Sequence, residues 1–308
     1  MRTYHPFSPM TLGTVQLGMN YGIANDGGKP SEEVSFSILR TALENGVTTL
    51  DTARAYGDSE AVIGRFLKTW EGTMPNIVTK IRKLQGETEK ELTAFAVESV
   101  EGSLHDLGVN KVSAIMLHGA QDPTIHGTAC ANAMKYLLDK GYTDRVGVSV
   151  YTAQDIQGML EYDIFSVTQV PMSVFDQRLI ADGSVAALAA RGYDVFVRSV
   201  FLQGLFFLDP DKITDPILLA HAAPKIRLLR QMAETLGITV AQLAISFMGS
   251  CPGVTSLVLG ADTPAQVEQN TAYFDTPALC PEIAAQLRTE FADVDIPEIM
   301  KVLSRPKK

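Results

Sequence analysis

Short runs rich in β-branched and apolar residues alternate along the chain with longer stretches in which apolar positions recur every three to four residues. The runs predict strands over Thr11–Gln16, Val47–Asp51, Asn76–Lys80, Val112–His118, Val146–Val150, Ile164–Gln169, Asp194–Val200 and Ser256–Gly260. The helical period predicts helices over Glu32–Asn45, Glu60–Trp70, Glu89–Leu107, Ala129–Lys140, Ala153–Leu160, Val185–Arg191, Pro224–Leu236 and Pro264–Tyr273. Ser31 and Ser59 stand where N-caps would, and Gly46, Gly108, Gly141 and Gly192 follow helix ends as C-caps would. Ala241–Ser250 and Pro281–Asp293 are expected as added helices.

Regular β/α alternation with mostly continuous apolar strands implies a parallel sheet covered on both faces. Closing that sheet removes its edges, so the expected fold is a single (β/α)8 TIM barrel over residues 1–308 with extra C-terminal helices. An open doubly wound sheet is the runner-up. Its dinucleotide fingerprint is missing, because Gly13 and Gly18 do not make GxGxxG and no acid ends a second strand at the required spacing.

A barrel does its chemistry at the C-terminal ends of its strands. Asp51 ends the second predicted strand, Lys80 the third and His118 the fourth, and Tyr56 lies in the loop after the second. Taken singly, Asp51 reads as a satisfied strand-end acid, Lys80 as a surface charge and His118 as a core histidine. Together at successive strand ends they point to one site. A carbonyl reduced by hydride needs a proton on its oxygen, and a tyrosine can donate it although its reference pKa is ~10. An ammonium about 4 Å away favours the phenolate by roughly 4 kcal/mol at an effective dielectric near 20. That is about three pKa units, enough to bring Tyr56 close to physiological pH. Lys80 would supply the charge, Asp51 would keep Lys80 protonated, and His118 would orient the carbonyl oxygen or share the proton. Arg54, Asp58 and Glu60 read as a turn and a helix opening.

Composition narrows the picture further. With 46% hydrophobic and 20% charged residues the chain has ample core. A net charge of -9 argues against a nucleic-acid surface, though an anionic cofactor needs only a few local donors. Cys130, Cys251 and Cys280 lie far apart without a CxxC pair, which suggests reduced thiols in a cytoplasm. The start, MRTYHPFSPM, lacks the apolar segment of a signal peptide, and no apolar run approaches the ~18 residues of a membrane span.

The blocks LDTARAYGDSE, VTK, MLHG, GVSV and LVLGADTPAQVEQN follow one another in the order seen in aldo-keto reductases. The chain resembles that family from LGTVQLG to the helix after Gly260. The resemblance implies the catalytic tetrad Asp51, Tyr56, Lys80 and His118, and ordered hydride transfer from NAD(P)H to an aldehyde or ketone. It also implies cofactor contacts. Gly13 and Thr14 would lie along the ribose and pyrophosphate, and Ser149 and Gln169 would hold the nicotinamide carboxamide. Arg198, Ser199, Leu202 and Gly204 belong to the seventh-strand side of the same groove. Gly260, Ala261, Thr263, Gln266 and Asn270 would form the adenosine-phosphate end, where a helix start offers N–H groups to an anion. Tyr21, with Tyr56 and His118, would touch the substrate, a small carbonyl compound.

Three positions depart from the family pattern. Val150 stands where Asn usually follows the Ser of GVS, removing one expected carboxamide hydrogen bond. Arg198 stands where an aromatic residue usually stacks on the nicotinamide. A guanidinium can stack there, but its charge should disfavour the oxidised ring. Third, the segment Gly260–Gln266 carries no cation and includes Asp262, so a 2′-phosphate gains little there. NAD(H) therefore stands beside NADP(H) as the expected cofactor.

Other segments carry weaker signals. Gly22–Pro30 fails the GxxxxGK spacing and reads as a loop at the substrate mouth, with Asn20 and Tyr21 beside it. Val200–Leu208 reads equally as core or pocket wall. No HExxH or Cys/His cluster suggests a metal, and His5, His105, His126 and His221 are scattered singly. The tail after Asp293 is short and ends in SRPKK, which would close the pocket only partly. Two rival readings remain open. One is a Schiff-base aldolase using Lys80 as nucleophile. The other, suggested by the resemblance, is a nucleotide-sensing accessory subunit.

Overall fold

The computed structural model describes residues 7–25, 27–275 and 279–305. His5, Asp26 and the terminal Pro306, Lys307 and Lys308 lie outside the described residues. Eight parallel strands close in sequence order: β1 (Met10–Gly13), β2 (Thr49–Asp51), β3 (Asn76–Ile81), β4 (Ala114–Leu117), β5 (Val146–Ser149), β6 (Phe165–Pro171), β7 (Asp194–Arg198) and β8 (Ser256–Gly260), with β8 pairing back onto β1. This is the expected (β/α)8 TIM barrel.

The helices follow as α1 (Val15–Gly18), α2 (Glu32–Glu44), α3 (Ser59–Leu67), α4 (Glu89–Leu107), α5 (Asp122–Asp139), α6 (Ala153–Leu160), α7 (Arg178–Ala181) and α8 (Ser184–Ala190). After β7 come α9 (Pro216–His221), α10 (Ala223–Thr235) and α11 (Val240–Gly249), and after β8 α12 (Pro264–Ala272), α13 (Pro281–Glu290) and α14 (Ile296–Leu303). Side-chain caps fix many starts. Ser31 accepts from Val34 N, and Thr88, Thr152 and Thr239 each form a capping box. Ser59 does not cap α3. It is the first helical residue, and its hydroxyl instead donates to the Thr14 carbonyl and meets the Thr14 hydroxyl. Among the described residues no single helix is long and apolar enough to cross a membrane.

Period-two alternation sorts the strand residues into two cores. Leu12, Leu50, Ile77, Ile81, Ile115, Leu117, Val195 and Val197 face the helices. Phe7, Val78, Ala114, Met116, Val167 and Phe196 pack together inside the barrel, with the Phe7 ring edge-on to Phe196 at 4.9 Å. Two positions beyond Val78, Met116, Val167 and Phe196 come Lys80, His118, Gln169 and Arg198. The same step from Thr11, Thr49, Gly147 and Val258 reaches Gly13, Asp51, Ser149 and Gly260. The top inward layer of the barrel is thus assembled from the eight strand ends. The fold spends its lower layers on packing and leaves this one polar.

Candidate active site

The strand ends deliver Asp51 and Lys80 as a buried pair. The Lys80 ammonium donates to both Asp51 carboxylate oxygens, at 2.6 and 2.8 Å, and to the Thr52 carbonyl at 3.0 Å. Its remaining reach is to the Tyr56 hydroxyl at 3.5 Å. Lys80 has no exposed surface, so the carboxylate is what keeps a charge there tolerable. Burial pushes the Lys80 ammonium down in pKa, and Asp51 opposes that shift. The Gln169 amide nitrogen adds a further bond to Asp51 at 2.8 Å.

Tyr56 sits on a turn tied at several points. Tyr56 N donates to Ala53 O, Ser59 N to Tyr56 O, and Arg54 N to Lys80 O. Thr14 bonds the Asp51 carbonyl through both N–H and hydroxyl. Arg54 clamps the other side by pairing with Glu60 and Asp106, and Lys29 pairs with Asp58. The ring of His118 lies edge-on to Tyr56 with centroids 5.9 Å apart. All four side chains expected at one rim are brought together.

The electrostatics differ from the expectation in one respect. The Tyr56 phenol is raised above its ordinary value, not lowered: burial dominates, Asp51 adds to it, and Arg198 pulls the other way. The ammonium of Lys80 is matched by the carboxylate of Asp51, so the phenol faces a nearly neutral pair. At neutral pH it holds its proton. His118 is lowered to about 4 by burial first and then by Lys80 and Arg198, so its ring is neutral and able to donate one N–H. Burial also raises the Tyr21 phenol to about 12.

These groups close one end of a cavity of about 670 Å³. Gly13, Thr14, Ser149, Gln169, Arg198, Ser199, Gly204, Gly260, Gln266 and Asn270 line it, as does Tyr21. Three expected cofactor residues lie off its wall. Leu202 turns into the core, Ala261 follows Gly260 on the outward phase of β8, and the Thr263 hydroxyl caps α12. Asn20 is also absent from the wall, its side chain accepting from Lys29 N. Val200–Leu208 divides: Val200, Phe201, Gln203, Gly204 and Phe207 line the cavity, and Leu205 and Phe206 are core.

Sequence reasoning missed Tyr151, Gln16 and Gln269 on the wall. Tyr151 continues the inward phase of Gly147 and Ser149, a signal available in the alternation. It takes one face of the Arg198 guanidinium, whose carbon lies 4.4 Å from its ring centre. Among the described residues no group of three or more His, Cys, Asp or Glu is placed to hold a metal.

The cavity suits a long polar ligand. Among the described residues the buried Gln16 Oε1 has no partner, and the Gln16 amide lies directly over Gly260, where a Cβ would fall 2.3 Å from its nitrogen and push the side chain aside. Hydroxyl and amide donors of Ser149, Ser199, Gln266 and Asn270 share the wall. A nicotinamide dinucleotide fits this donor set.

Residues 9–289 match the model of the aldo/keto reductase family. The chain belongs to that family. Aldo/keto reductases as a family reduce small carbonyl compounds with NAD(P)H. This aldo/keto reductase is 26% identical over 286 residues to a probable voltage-gated potassium channel subunit beta of Oryza sativa subsp. japonica, covering 82% of this chain and 85% of the relative. Its fold is similar to that of a glycerol dehydrogenase from Gluconobacter oxydans, with a TM-score of 0.77, 20% identity and coverage of 99% and 95% of the two chains. An aldo/keto reductase from Klebsiella pneumoniae, solved in complex with NADP and acetate, has a TM-score of 0.68 at 22% identity, covering 92% and 91%.

Proposed function

We propose that the chain, acting as one domain, is an NAD(P)H-dependent reductase of an aldehyde or ketone in which Tyr56 is the general acid. The observation that carries this reading is the tetrad geometry: the Tyr56 hydroxyl stands 3.5 Å from a Lys80 ammonium that is itself held by Asp51. When bound, a reduced nicotinamide supplies the hydride. Tyr56 holds the proton for the carbonyl oxygen. Lys80 limits the cost of the phenolate left behind, and Asp51 keeps Lys80 charged and oriented. Neutral His118 donates to the same oxygen and fixes the carbonyl plane. Ser149 and the Gln169 side chain would hold the carboxamide, and Gly13, Thr14, Gly260, Gln266 and Asn270 the rest of the nucleotide. Three buried or scattered thiols support a reducing, cytoplasmic setting.

The carrying test is Tyr56→Phe with a panel of simple aldehydes. The expected loss in kcat is about 10²–10⁴-fold, with nucleotide Kd changed less than threefold. Undiminished turnover sinks the assignment of the acid.

The Schiff-base alternative is disfavoured because Lys80 has no exposed surface and its protons are committed to Asp51, Thr52 and Tyr56. Similarity to probable channel subunits is what supports the accessory reading. A complete tetrad favours turnover.

A further inference from the structure

Among the described residues that line the cavity, Arg198 is the only Lys or Arg. It stands at the end of β7, inward above Phe196, on the same rim as Tyr56 and His118. Its hydrogen bonds are two weak ones to neutral acceptors, Nη2 to the Val150 carbonyl at 3.3 Å and Nη1 to the Ser199 hydroxyl at 3.4 Å. Among the described residues no carboxylate pairs with it, and the nearby Asp51 is already engaged by Lys80 and Gln169. Tyr151 covers one guanidinium face and so fixes its plane. A half-buried cation without a counter-charge is costly in the empty site, and an arriving anion recovers that cost through paired N–H···O bonds.

Resting on the reductase reading, we propose that Arg198 anchors a carboxylate or phosphate carried by the carbonyl substrate, so the substrate class is an anionic aldehyde or ketone. Tyr151 lies against the guanidinium, and Tyr21 shares the cavity wall within range of its charge, so their hydroxyls offer further donors to the same anion. The charge of Arg198 is felt by Tyr56 and His118, which places the anchor within electrostatic range of the reacting carbonyl. On a molecule of net charge -9, an anion has no general attraction to follow into the cavity. One positioned cation therefore decides which substrates are held.

The test compares ω-oxo carboxylates of three to six carbons with their methyl esters, which remove the charge at nearly constant size. The wild-type protein is expected to favour at least one acid over its ester by tenfold or more in kcat/KM, mainly through KM. Arg198→Met should bring that ratio near one, and Arg198→Lys should keep part of it. A ratio at or below one at every length, or an unchanged ratio in Arg198→Met, overturns the proposal. Calorimetry on the nucleotide-loaded protein gives a readout free of turnover: benzoate should bind tenfold tighter than benzamide, and equally to it in Arg198→Met. Equal or undetectable binding of both by the wild-type protein counts against the anchor. If Arg198→Met weakens NADH binding more than tenfold while the acid-to-ester ratio stands, the anion is the cofactor's pyrophosphate and the proposal fails. Loss of ester turnover in Tyr56→Phe reports on the general acid separately, so the two readings fail by different measurements.

Discussion

His118 shows how burial sets a catalytic role. Burial first, and then the charges of Lys80 and Arg198, lower its ring to about 4 and keep it neutral in the working range. The ordinary value lies near ~6.5, so a histidine acting as a charged group would give a limb in activity near neutrality. Here kcat/KM for carbonyl reduction should be flat from pH 5 to 8, with its acid limb near 4. Protonation below that point places a third positive charge beside Lys80 and Arg198 and removes the neutral hydrogen-bonding tautomer. A limb at pH 6–7 that vanishes in His118→Asn would show the opposite protonation state. The raised Tyr56 phenol fits the same profile, since it keeps its proton throughout this window. The sequence made the four partners visible but not their net field. Lys80 and Asp51 largely cancel, and a pairwise estimate from Lys80 alone overlooks both the cancellation and the burial.

At the scale of elements, the alternation of apolar residues was enough to place all eight strands, because inward and outward phases both had to be filled. Ends were less legible. The first strand stops at Gly13, since Val15–Gly18 turns into a helix, and β3 runs on to Ile81. The short pieces α7 and α9 and the 3-10 turn Leu202–Phe207 carry too few periods to read in advance, whereas α14 is as long as α6 and its Ile296, Ile299 and Leu303 spacing was there to be read. The span of α5 is two helices meeting at a kink, since Gly127 at φ 57 and ψ -137 is not helical; the expected start at Ala129 lies just beyond that break, and the turn that precedes it was not foreseen. One contact between elements bears directly on chemistry. Gly18, at the end of α1, lies so close to the Tyr56 turn that a Cβ there would fall 1.8 Å from Tyr56 O and 2.6 Å from Ser59 N. Gly18→Ala should therefore displace the turn carrying the acid, costing about 1–3 kcal/mol of stability and lowering kcat more than it raises KM. Thermal melts and steady-state kinetics check both effects. An unchanged Tm with unchanged kcat would mean that the turn is not held by this contact.

Across the whole molecule, one cavity links the tetrad to the start of α12, and its two ends differ in charge. The tetrad end carries Arg198. The far end is lined by Thr239, Gly260, Asp262, Gln266, Gln269, Asn270 and Tyr273, with no Lys or Arg among the described lining residues. Asp262 accepts from the Asn25 side chain across the groove, and its backbone N–H is taken by the Gln266 side chain at 2.6 Å. A 2′-phosphate brings a charge of about −1.5 to −2 at neutral pH to a wall that offers hydroxyls, amides and one carboxylate. Charge-assisted bonds to Arg or Lys are what normally offset its lost hydration, and this wall supplies none. NADH is therefore expected to bind at least as tightly as NADPH in direct titration. Asp262→Lys should shift the ratio of the two Kd values toward NADPH by tenfold or more, with the shift shrinking as salt rises. An NADPH preference in the wild-type protein that survives 0.5 M salt would mean that the 2′-phosphate is held outside this wall. The reading would then be wrong for the molecule as a whole, since charge placement along the cavity, and not the local loop, would have failed as a guide.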